Sequence, residues 1–214
     1  MDPNKTINYI MRLARLDTSV FDEVKDDTQE LIPAIIVVVV SALIAGLGVW
    51  LWLMLDAPGG YDVDFANVFI NVWLLGTLFT VGLWVAWVAI VYVVLVQFYK
   101  ETADFQTLLR TMGYAAFPFS LSLLLLIPSL GFGFALTAIV LWFVMSTYAI
   151  HATTTAASDR VMIANAAGFL VFAVMMGLLA TETGMTTGAF SYIGDAVFEG
   201  EYFDFGGGFD IDDL

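Results

Sequence analysis

The residues able to do chemistry in this chain are few and far apart. His151 is the single histidine, with Thr147, Thr153, Thr154 and Thr155 near it. An imidazole can ligate a metal or relay a proton. A metal site needs several ligands, however, and the chain has no cysteine and no second histidine. His151 closes an apolar run and reads as an amphipathic anchor at a membrane surface. Asp204, Asp210, Asp212 and Asp213 have calcium-type donors, but their spacing does not match a calcium loop. There is no Ser–His–Asp arrangement, no paired carboxylate at a plausible depth and no phosphate-binding glycine loop. The expectation is a non-enzymatic protein without cofactor or metal. Gln97, Ser120, Ser122 and Asn165, with Asn71 and Ser146, place uncharged hydrogen-bonding groups in or beside apolar runs. They fit a polar path between helices, or interhelical hydrogen bonds worth about 0.6 kcal/mol each. The second reading is preferred.

The seven cations give the clearest pattern. Lys5, Arg12, Arg15 and Lys25 precede the first apolar run. Lys100 and Arg110 lie between the second and third runs, and Arg160 between the fourth and fifth. The alternate gaps and the C-terminal stretch hold no Lys or Arg. Cationic loops stay on the cytoplasmic side of a membrane, so the N-terminus is expected inside and the C-terminus outside. These cations are also the candidate contacts with lipid or a partner.

These side chains must be positioned by membrane helices. The chain of 214 residues is 60% hydrophobic and only 13% charged, against about 25% charged in soluble domains. A span needs about 20 apolar residues. Five stretches qualify: 31–55, 68–98, 108–127, 133–150 and 161–180. Trp50 and Trp52 near the outer end of the first run, and Trp73 near the outer start of the second, suit an aromatic belt. The region 108–150 is interrupted by Pro128, Ser129, Gly131 and Gly133. It reads as two spans rather than a re-entrant hairpin, because each half is long enough to cross. The result is an all-α, five-span, multi-pass protein of the cell membrane, whose first span serves as its own insertion signal. Its partners are the lipid bilayer and, through the basic segments, a membrane or cytoplasmic protein. Nucleic acid is excluded by the lack of a basic patch.

The flanking segments differ in character. Residues 1–30 form a cytoplasmic segment in which Ile7, Ile10, Met11 and Leu13 recur at helical spacing among cations, as in a short interfacial helix. Asp17, Thr18 and Ser19 break it. Asp27 and Glu30 have the spacing of a capping box for the first span, and Pro33 falls in its first turn. Residues 181–214 are acidic and glycine-rich, and are expected to be solvated chain with a short interfacial piece at 190–198. The net charge is −14, and the outer segments carry eleven acids without a base. Such a surface stays soluble in high salt and points to a halophilic archaeal source.

The motif Gly113-Tyr114-Ala-Ala-Phe-Pro118 opens the third run, Ile127-Pro128 closes it, and Phe21-Asp-Glu-Val-Lys-Asp-Asp27 precedes the first. With five spans and a cytoplasmic N-terminus, this resembles the prokaryotic branch of the Yip family, named for interaction with Ypt/Rab GTPases. The resemblance covers roughly residues 10–180. It implies a non-enzymatic membrane scaffold or membrane-organising role. The Asp-Leu-Tyr-Gly-Pro-type motif of eukaryotic relatives has no match here, so GTPase binding is not carried over. The alternative is a passive transporter or channel whose path runs by Gln97, Ser120, Ser122 and Asn165. The absence of charge from the span interiors argues against ion-coupled transport.

Overall fold

The computed structural model describes residues 2–56, 65–127, 130–183, 185 and 187–191, and the regular structure among them is helical throughout. Pro128 and residues 192–214 lie outside the described residues. Helix α1 (Pro3–Ala14) starts at Asp2, whose carboxylate accepts the Asn4 N–H at 3.0 Å, and Pro3 occupies a position where a missing donor costs nothing. It stops at Leu16, which takes a left-handed φ of 64° while Leu16 and Asp17 return their N–H groups to Leu13 and Arg12. Helix α2 (Val20–Asp26) buries Val20, Phe21 and Val24. A 3₁₀ turn, Thr28–Glu30, leads into α3 (Leu31–Asp56).

Five helical segments are long and apolar enough to cross a membrane. The first is built on α3. The second is α4 (Phe65–Val68), a π-helical stretch Phe69–Leu75, α5 (Gly76–Val93) and a second π-helical stretch Val94–Phe98. The third joins α6 (Phe105–Tyr114) to a ten-residue 3₁₀ helix, Phe117–Leu126. The fourth and fifth are α7 (Gly131–Thr153) and α8 (Ser158–Thr183).

The third span changes helix type for a reason written in its sequence. Pro118 cannot donate to the carbonyl four residues back, and its ring crowds that carbonyl. The residue four back is Tyr114, where α6 ends. The chain re-forms in the tighter 3₁₀ geometry, with the Phe119 N–H bonded to the Ala116 carbonyl. Ile127, which precedes a proline, is extended at φ −86° and ψ 111°, and ends the segment.

The spans close in the cyclic order first, third, fourth, fifth, second. The third also touches the second, so it is the most enclosed: 67% of its apolar window is buried, against 33% for the second and fifth. Aromatic rings fill the middle. Trp142 lies 4.8 Å from Phe119 and 5.2 Å from Phe172, and Trp87 lies 5.5 Å from both Trp142 and Phe172. Outward, apolar side chains such as Leu78, Leu136, Leu170 and Leu178 are exposed, the inversion expected of a bundle solvated by lipid tails. Small residues set the closest approaches. A Cβ at Gly113 would lie 2.8 Å from the Ala34 Cβ, and one at Gly168 would collide with Trp87.

The start of the C-terminal stretch departs from the expected solvated chain. Thr187, Gly188, Ala189 and Ser191 are buried. Phe190 lies 5.5 Å from Phe172 and 6.4 Å from Phe119. Gly188 makes this possible: its φ is +62°, and a Cβ there would fall 2.8 Å from both Ala45 and Phe119.

Candidate functional site

Every basic segment reaches the same end of the bundle, where α1 and α2 fold back onto α3 and α6. Arg110 is buried on α6 and donates to the Lys25 carbonyl at 2.7 Å and to Thr107 Oγ1 at 2.9 Å. It therefore ties α2 to the third span. Immediately before α3, a second tie forms around Glu30, which is only 4% exposed. Tyr114 Oη donates to Glu30 Oε2 at 2.6 Å, and Lys5 Nζ reaches Glu30 Oε1 at 2.8 Å and Asp27 Oδ2 at 2.7 Å. The Tyr9 ring stands edge-on to Tyr114 at 5.7 Å, with the Lys5 ammonium 5.4 Å above it. Tyr114, a family-motif position, is thus the point where the third span meets α1 and the base of α3.

This arrangement explains the failure of the expected capping box. Asp27 does cap the turn, accepting the Gln29 N–H at 2.9 Å. Glu30 does not reach back to it, because its two oxygens are taken by Tyr114 and Lys5. A charge placed one residue before an apolar run was the sequence signal for a buried partner, and its partner lay 84 residues away.

Outside the spans the electrostatics follow from these pairs. The Lys5 ammonium, helped by the Gln29 N–H, holds the Asp27 carboxyl below its ordinary range, and the pairs with Asp27 and Glu30 raise Lys5. Arg12 bridges Asp17 and Glu23, each at 2.8 Å. The Ser19 hydroxyl and then Arg12 lower Asp17, and Arg12 lowers Glu23. Asp104 caps α6 and is lowered by the Thr107 N–H and hydroxyl.

The remaining cations divide in two. Lys25 pairs with Asp22 at 2.7 Å, and Arg160 pairs with Glu101 at 2.7 Å while lying 5.5 Å over the Tyr99 ring. Arg15 and Lys100 are exposed and carry no ion pair among the described residues. Lys100 has a left-handed φ of 57° at the end of the second span.

The polar residues within the spans are not gathered into one place. Asn165 is fully buried, accepts from Trp87 Nε1 at 3.0 Å, and donates to the Phe143 carbonyl at 3.0 Å and Thr147 Oγ1 at 2.8 Å. It joins the second, fourth and fifth spans. Ser120 donates to the Phe117 carbonyl at 2.7 Å. Ser122 is buried, and its backbone carbonyl faces Gly48. Gln97 is exposed, in the last turn of the second span. His151 lies 3.0 Å from Ser158 Oγ. Among the described residues, no three His, Asp or Glu side chains group as a metal site.

The positions Gly113, Tyr114 and Pro118 each have a physical task here: close approach to α3, the bond to Glu30, and the switch of helix type. The sequence matches the family model of the Yip1 domain over residues 17–181. No curated protein and no solved structure matches the chain. The match covers well over half of the chain, including all five spans, and this multi-pass membrane protein belongs to the Yip family.

Proposed function

We propose that the chain is a non-enzymatic membrane scaffold, inserted with its N-terminus and basic end inside, of the prokaryotic, halophilic branch of the family. One observation carries the scaffold reading. Helix α1 turns Thr6, Tyr9 and Leu13 inward, while Ile7 and Met11 remain about half exposed, followed four residues later by the exposed Arg15. A stripe of two apolar side chains and a cation is held in place by the pairs of Lys5 with Glu30 and Asp27 and of Arg12 with Glu23. It suits contact with the bilayer surface or with a partner's apolar groove, and the exposed Lys100 extends the basic face. Passive transport by Gln97, Ser120, Ser122 and Asn165 has less support, because Asn165 is enclosed with its amide engaged while Gln97 faces outward.

The test is cross-linking in native membranes followed by mass spectrometry, comparing the full chain with an Ile7→Asp/Met11→Asp variant. Both positions are exposed, so the fold is retained. Loss of a reproducible set of cross-linked proteins is the expected result. An unchanged set would refute the use of this face. Asn165→Leu abolishing solute flux in proteoliposomes would favour the transport reading instead.

A further inference from the structure

A basin of about 870 Å³ opens at the basic end, between α2, the start of α6 and the junction of α7 with α8. That volume is in the range of small-molecule sites, about 300–1,000 Å³. Its lining is unusual for a surface at membrane level, because hydroxyls dominate it. Thr18, Thr102, Tyr148 and Thr155 all face it, and none of their hydroxyls bonds within the chain among the described residues. The charged lining is largely spent: Lys25 is bonded to Asp22 and His151 to Ser158. Two carboxylates, Asp22 and Asp26, face one ammonium, Lys25, so acidic groups outnumber basic ones in the lining. The carbonyl end of α7 and the amide end of α8 meet at the basin with opposite partial charges, so the helix ends leave this balance unchanged. Such a lining disfavours a phosphate and favours a neutral ligand rich in hydroxyl groups, which can donate to Asp26 and exchange hydrogen bonds with the four free hydroxyls.

The outer face of α7 identifies where such a ligand comes from. Leu136, Val140, Val144 and Tyr148 are all exposed and recur every four residues. They form one apolar stripe along the lipid-facing side, and its last member lines the basin. We infer that the basin holds the uncharged, polyhydroxylated headgroup of a membrane lipid, a glycolipid by chemical class, whose chain lies along this stripe. Tyr148 bridges the two halves of the site, its ring on the apolar track and its hydroxyl at the basin. This inference requires only membrane insertion and is independent of the α1 partner role.

The test uses the full chain in phosphatidylcholine nanodiscs doped with a few per cent of monogalactosyl diacylglycerol, with retained lipid counted by native mass spectrometry. Parallel discs carry phosphatidylglycerol, and a third arm adds free galactose. The wild type is expected to retain galactolipid in preference to phosphatidylglycerol. The Thr102→Val/Tyr148→Phe variant removes two exposed hydroxyls from the lining. It should lower retention by roughly tenfold or more. Thr137→Val, at the other end of α7, should change nothing. Equal retention by the double variant, or a preference for phosphatidylglycerol, overturns the inference. Free galactose binding as tightly as the lipid also overturns it, in favour of a soluble sugar. The Ile7→Asp/Met11→Asp variant should lose cross-linked partners yet keep the galactolipid, so the two proposals fail separately.

Discussion

Glu30 offers the sharpest test of how the N-terminal helices are held. Glu30→Gln keeps the shape of the side chain and removes its charge. Tyr114 Oη then faces an amide in place of a carboxylate 2.6 Å away; the amide oxygen still accepts, so the loss is the difference between a charge-assisted and a neutral hydrogen bond, about 1–1.5 kcal/mol. The loss to Lys5 is smaller. Its side chain is 38% exposed and keeps Asp27 at 2.7 Å, so no ammonium is stranded and the term falls toward the ~0–1 kcal/mol of surface pairs. The expected total is about 1–2 kcal/mol, and it acts mainly where α6 meets the turn before α3, with only the Lys5 part felt by α1. At 1.4 kcal/mol per tenfold, this junction should open roughly 5- to 30-fold more often. Amide hydrogen exchange reads this directly: protection at Glu30 and in residues 111–115 falls by up to that factor, while protection in the middle of α8 is unchanged. Tyr114→Phe should produce most of the same effect. The double variant should fall short of additivity by about 1–2 kcal/mol, as expected of groups in direct contact. An equal loss in α8, or full additivity, would refute the view that this bond acts locally, between α6 and the turn before α3.

Other expectations follow from single contacts. Gly113→Val forces α3 and α6 apart at Ala34 and should cost about 1–3 kcal/mol, read as a lower melting temperature in detergent. Asn165→Leu removes three interhelical hydrogen bonds, including that of the buried Trp87 indole. At about 0.6 kcal/mol each it should destabilise the bundle by about 2 kcal/mol without moving α1 exchange. Leu16→Gly relieves a left-handed φ of 64° at an exposed site. It should strengthen the end of α1 by up to about 1 kcal/mol, seen as slower exchange there. The folded-state carboxyls of Asp17, Glu23, Asp27 and Asp104 lie below their ordinary values of 3.8 for Asp and 4.5 for Glu. A depressed value means the stabilisation is complete above the ordinary value and is lost as pH falls through the folded one. Exchange in α1 and α2 should therefore be flat from pH 7 to about 5 once corrected for intrinsic rates, and accelerate below about pH 4. Faster opening on raising the pH from 5 to 7 would contradict the assignment.

Much of this protein is determined by local sequence. Runs of apolar residues with almost no charge must satisfy their backbone groups internally, so five helices follow from composition and length. Pro118 and Ile127-Pro128 end helical stretches through backbone geometry alone. Asp2 and Asp104 cap through side chains two or three residues away. Contacts between remote positions are different, because periodicity says which residues share a face and not which face meets which partner. Glu30 read as a helix cap, and only the meeting of α3, α1 and α6 made it the acceptor for Tyr114 and Lys5. Asn165 read as one of several buried polars, and only the packing of three spans gave it Trp87, Phe143 and Thr147. The glycine-rich stretch after the fifth span had no pattern to mark it as buried. Its packing rests on the space that Gly188, Ala45 and Gly46 leave between the first and third spans. Local chemistry fixes where each helix begins and ends, whereas the partners of its polar side chains exist only after distant segments have packed.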